Sequence, residues 1–138
     1  MSTLNVGSIQ SLVATKCPVV KDSNGTEFGT FCNAFVNFNG TVTVSGNCDI
    51  RDSFNVSSVT DVGTGNYTVV FTNAMPSADY AAVANGSQLV DGIANYDVAH
   101  VHTHTTASVK VELFGSADNP STNHDGALMS VAIFGNRS

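Results

Sequence analysis

The sequence predicts an all-β chain: an antiparallel β-sandwich, jelly-roll-like, carrying a short N-terminal extended arm. Three observations predict it. From Thr30 onward the apolar residues recur with a period of two, the spacing of a half-buried strand. Turn-forming pairs rich in Asn, Gly and Asp interrupt these runs at short intervals. No window carries an apolar stripe at helical spacing, and the abundant Gly, Asn and Thr would penalise a helix.

Taken in order, residues 1–29 form the arm, with apolar patches at Leu4–Ile9 and Leu12–Val13 and a tight turn at Asn24-Gly25. Residues 30–138 form the head. Cys32, Ala34, Val36 and Phe38 fall on one face of the first strand, and Phe31, Asn33, Phe35 and Asn37 on the other. Asn39-Gly40 then predicts a type I′ turn, with Thr41–Ser45 as the returning strand. Phe54–Thr60 and Tyr67–Thr72 flank a turn rich in Asp, Gly and Asn, a second hairpin. Further strands are expected at Tyr80–Ala84, Val98–Thr106, Ala107–Phe114 and, strongly apolar and central, Leu128–Phe134. Phe35, Phe38, Phe54, Tyr67 and Phe71 are expected mainly in the core; Tyr80 and Tyr96 lie near turns, with core or partial burial as the default and stacking against sugars as the alternative.

Composition narrows the function. The chain of 138 residues suffices for one domain with a real core. Only 12% of its residues are charged, about half the usual ~25%, and Asn, Ser, Thr and Gly take their place. Such a surface suits packed assemblies and extracellular exposure. A net charge of −6 with five basic residues disfavours nucleic acid. No apolar run reaches the ~18 residues of a membrane span, and Met1–Gly7 does not read as a signal peptide. Cys17, Cys32 and Cys48 are widely spaced and odd in number, which reads as reduced core thiols, a Cys32–Cys48 bridge being the alternative.

The sharpest chemical feature is His100-Val-His102-Thr-His104. On a strand these imidazoles share one face, about 6.5–7 Å apart from one to the next. Ala99, Val101, Thr103 and Thr105 then take the core side. One strand offers a transition metal (Fe, Ni or Zn) two ligands, and three copies about a threefold axis would offer six. The competing reading is a solvated or receptor-facing surface. Catalytic arrangements are weaker. His124-Asp125 beside Ser121 and Thr122 lies on one loop without triad spacing, and no Gly-x-Ser-x-Gly elbow is present. Arg51 is better read as pairing Asp49 or Asp52 than as leaving two free carboxylates. The Asn-x-Ser/Thr sequons match chance in a chain this rich in Asn and Thr.

Two stretches, Ala34-Phe-Val-Asn-Phe-Asn-Gly40 and Ile50-Arg-Asp-Ser-Phe-Asn-Val-Ser-Ser-Val-Thr-Asp-Val-Gly-Thr-Gly-Asn-Tyr-Thr-Val-Val-Phe-Thr-Asn-Ala-Met-Pro76, resemble short tail-fibre and virion structural proteins of marine tailed phages. The resemblance spans residues 31–80 and, more loosely, Met129–Gly135. It implies a non-enzymatic virion protein made in the host cytoplasm. Its expected form is a homotrimeric tail-fibre head or tip that binds a host-surface receptor, a polysaccharide among the possibilities. The arm would dock on other virion proteins, and residues 84–96 and 115–126 would supply contact loops. It also implies the trimeric metal use of His-x-His known in some fibre tips, here on His100, His102 and His104. A capsid-decorating head fibre and a glycan depolymerase are the alternatives.

Overall fold

The computed structural model describes residues 19–88, 97–115 and 122–135. The described residues form no helix and eleven strands. These are β1 (Val19–Lys21), β2 (Glu27–Thr30), β3 (Cys32–Val44), β4 (Asn47–Phe54), β5 (Val56–Gly63) and β6 (Asn66–Phe71). They continue with β7 (Tyr80–Ser87), β8 (Val98–His102), β9 (Ser108–Gly115), β10 (Thr122–Asn123) and β11 (Leu128–Gly135). β1 and β2 form a separate antiparallel hairpin. Its turn is closed by the Asp22 carboxylate, which accepts from the Asn24 and Thr26 amides at 2.9 and 2.8 Å.

The other strands make one antiparallel sheet in the order β7-β11-β3-β4-β5-β6-β9-β8, with β10 extending the β9 edge beyond β6. β7 and β8, the two ends of that order, come side by side. There the Asp97 carboxylate accepts the Gln88 amide at 2.6 Å. The sheet is therefore a nearly closed barrel, which corrects the expected jelly-roll sandwich. Both architectures alternate buried and exposed residues along every strand, so the period alone does not separate them.

The barrel interior is the core. Ala34, Val36 and Phe38 from β3 meet Val59, Tyr67, Val69 and Phe71 from β5 and β6. Val109, Val111 and Leu113 from β9 and Met129, Val131 and Ile133 from β11 complete it. β11 runs between β3 and β7 as a central strand, in line with its apolar sequence. Phe38 and Tyr67 pack edge to face, with ring centroids 5.1 Å apart.

The first hairpin differs from its expected form. β3 continues through Asn39-Gly40, and the turn falls at Ser45-Gly46, whose φ values of 54° and 79° give the two left-handed positions of a type I′ turn. Gly40 is needed for close approach, because a Cβ there would run into the Tyr67 hydroxyl. Its amide instead donates to the Gly126 carbonyl at 2.8 Å. Asn55 separates β4 from β5. It holds φ 54° while its side chain accepts from the Asn73 amide (2.8 Å) and donates to the carbonyls of Asn33 and Asn73.

Candidate functional site

The outside of the barrel is divided. Across β4, β5, β6, β9 and β8, cross-strand partners line up as a polar row, Asn47–Thr60–Thr68–Lys110–His102. A second row, Asn66–Glu112–His100, runs beside it. Strand alternation turns Val59, Tyr67, Val69, Val109 and Val111 inward and leaves these hydroxyls, amides and rings outside. The Thr60 hydroxyl lies 3.4 Å from Asn47 Oδ1, and His102 Nε2 lies 3.4 Å from Glu112 Oε1. Most of the band is neutral donor–acceptor surface with one cation and one anion.

His100 and His102 do share the outer face as the spacing predicts, their rings nearly parallel (14°) with centroids 5.7 Å apart. Ala99 and Val101 take the core side. His104 departs. Thr103 adopts φ 50° and ends the strand, so His104 stacks on the Tyr80 ring, with centroids 4.8 Å apart and planes within 9°. The single three-histidine face is therefore not formed. His102 Nδ1 pairs with Thr103 Oγ1 at 2.8 Å, and the described residues of one chain contain no cluster of three metal-ligating groups. Tyr80 is buried, as its default reading has it, its hydroxyl donating towards the carbonyls of Thr105 and Ser108, so the alternative of an exposed sugar platform does not hold. Tyr96 and most of the two expected contact loops, 89–96 and 116–121, lie outside the described residues. So do Ser121 and Cys17.

Of the remaining catalytic candidates, Asp125 is tied into the scaffold. Asp125 Oδ1 accepts the Gly65 amide at 2.7 Å and the Tyr67 hydroxyl at 3.3 Å, while the Tyr67 oxygen accepts the Gly126 amide at 3.1 Å. This network pins the β5–β6 turn to the segment before β11. Its residues are far apart in sequence, and only the Gly-rich turn around Gly65 hinted at it. Arg51 does not settle between Asp49 and Asp52: its guanidinium donates to the Ala127 carbonyl (2.7 Å) and to Asn37 Oδ1 (3.4 Å). Cys32 and Cys48 are free thiols, so the alternative bridge is not formed.

Cys48 is buried beside this network. Burial, with Asp61 and Asp125 nearby, pushes its thiol up from 9.0 to about 11. Burial likewise holds the Tyr67 phenol far above its ordinary range, against the lowering effect of the Gly126 amide. Both groups bind their proton more tightly in the folded chain. The Cys48 contribution to stability is complete below about pH 9 and is lost as pH rises through about 11, while that of Tyr67 is lost only at higher pH. We expect the melting temperature to be level between pH 7 and 9 and to fall steeply towards pH 11 in a thermal-melt series. A level profile to pH 11 would contradict this assignment. Alkylation at pH 8 should modify Cys32 well before Cys48.

No family model matches the chain, and no curated protein matches it. Among solved structures it is similar to the phiAB6 tailspike, determined in complex with three-repeated oligosaccharides of Acinetobacter baumannii surface polysaccharide. The identity is 16% and the TM-score 0.48, with 96% of this chain and 30% of the tailspike chain covered.

Proposed function

We propose that this chain is a non-enzymatic bacteriophage virion protein, the head or tip of a tail fibre, which works as a homotrimer and binds a glycan on the host surface. The resemblance of residues 31–80 to virion structural proteins supplies the setting. The observation that carries the binding role is the polar band of β5, β6, β9 and β8. Thr60, Thr68, Asn66 and Asn47 offer neutral donors and acceptors matched to sugar hydroxyls. The parallel His100 and His102 rings add a flat surface beside Lys110 and Glu112. The band presents only one carboxylate, Glu112, far from the paired acids that glycoside hydrolysis uses. Asp61 and Asp125 are engaged in turn hydrogen bonds.

The test is incubation with surface polysaccharide from the phage's own host. The expected result is saturable binding, weakened about 10-fold or more when Thr68 and His102 are both replaced by alanine, with no new reducing ends. Release of reducing ends would make the chain a depolymerase. Binding unchanged in the double variant would move the site off this band.

A further inference from the structure

We propose that copies of this chain associate through the outer face of β7, β11, β3 and β4. This assigns a surface to the trimer proposed above and rests on that reading only for the number of copies. Register places Val83, Ala132, Phe35 and Phe54 in one continuous cross-strand row over these four strands, with Phe134 opposite Ala81 beside it. These are outward positions: Ala34, Val36, Val131 and Ile133, their chain neighbours, are the buried ones. Phe54 is 55% exposed, Val83 56%, Phe134 37% and Phe35 36%. The Phe35 and Phe54 rings lie against each other, 6.4 Å between centroids. This overturns the expectation that both phenylalanines belong to the core.

On the scale of ~200 Å² per aromatic side chain, the exposed part of this row amounts to roughly 300–400 Å² of apolar surface. That is within the ~300–600 Å² range of the largest apolar patch on a typical single chain, a patch that is often functional. A standard interface buries ~800 Å² per partner around a more apolar centre. The row supplies such a centre. Asn85, Ser130 and Asn37 form the adjoining polar rim, in which Asn37 Nδ2 donates to Ser130 Oγ at 2.9 Å.

The area of the row and its lack of charge favour a second copy as the occupant. Every copy carries a net charge of −6, so like chains repel over most approaches. The row itself holds no ionisable side chain, and it is where two such chains meet at least electrostatic cost. A basic partner would instead require carboxylates in the row, and Asp52 stands only at the end of the rim. Apart from Asn47 at the start of β4, the polar band lies on β5, β6, β9 and β8, so association leaves it open to the receptor.

The experiment is sedimentation equilibrium of the full chain, with Phe54→Asp, Val83→Asp and, as a control on the polar band, Thr68→Asp. The wild type and Thr68→Asp should sediment at three times the 14.3 kDa chain. Phe54→Asp and Val83→Asp should dissociate at least ~100-fold more readily, the loss expected for a buried contact at an interface centre. Should either variant fail to fold, hydroxyl-radical footprinting of the wild type decides: oxidation of Phe35, Phe54 and Phe134 should fall as concentration rises. A monomeric wild type overturns both the face and the trimer. An assembled wild type left intact by both substitutions, or footprints independent of concentration, overturns the face alone.

Discussion

Gly65→Ala is expected to cost roughly 3–5 kcal/mol and to lower the melting temperature by about 10–20 °C. Gly65 sits buried at the β5–β6 turn with φ 66°, a conformation in which alanine is strained. A Cβ there would lie 2.7 Å from the His124 carbonyl oxygen and 2.8 Å from both the His124 nitrogen and the Leu113 oxygen. All three are backbone atoms, so no side chain can swing away. The Leu113 amide also donates to the Gly65 carbonyl at 2.8 Å, so a shift at Gly65 pulls on β9 as well. Against a total stability of about 5–15 kcal/mol this is a large fraction. Urea denaturation measures it, and a midpoint within error of wild type would show that the turn is not a fixed point of the barrel.

Tyr67 carries the second large effect. Tyr67→Phe keeps the ring against Phe38 but leaves the buried Gly126 amide without its acceptor, a cost of about 1–3 kcal/mol. Tyr67→Ala also empties the centre of the core, and about 3–5 kcal/mol should be lost. The two variants thus separate the hydrogen bond from the packing. A further outcome follows from the contact between Gly40 and the Tyr67 hydroxyl. Gly40→Ala should be strongly destabilising in the wild type and much less so in Tyr67→Ala, a coupling that a double-mutant cycle reads directly. Additive effects would mean that the two positions do not share space.

Strand positions were legible in the sequence wherever alternation was uninterrupted. β6, β9 and β11 lie within a residue or so of their expected spans because Tyr67–Phe71, Val109–Leu113 and Met129–Ile133 alternate cleanly. Local turn signals misled where long-range packing decided. Asn39-Gly40 has the residues of a type I′ turn, yet Gly40 serves to pass beneath Tyr67, a residue 27 positions further along the chain. Closure into a barrel was not legible, because it depends on β7 and β8 meeting at the ends of the sheet order.

The candidate sites show the same division. Alternation correctly put Phe35 on the face opposite Ala34 and Val36, but aromatic character argued for burial, and a face's polarity does not say whether it lines the barrel or its exterior. His100 and His102 were legible as a pair. The left-handed backbone at Thr103 that turns His104 onto Tyr80 has no local sequence marker. The Asp125–Tyr67–Gly65 network joins segments about sixty residues apart, beyond the reach of any motif.

The most direct measurement of the proposed virion role is immuno-gold labelling of intact phage particles from a lysate that contains this chain, using antibody against the folded protein. Under the proposal, gold should lie at the far end of the tail fibres. Gold over the capsid would make the chain a head fibre. Unlabelled particles, with the chain recovered only in the soluble fraction of the lysate, would contradict a virion role altogether.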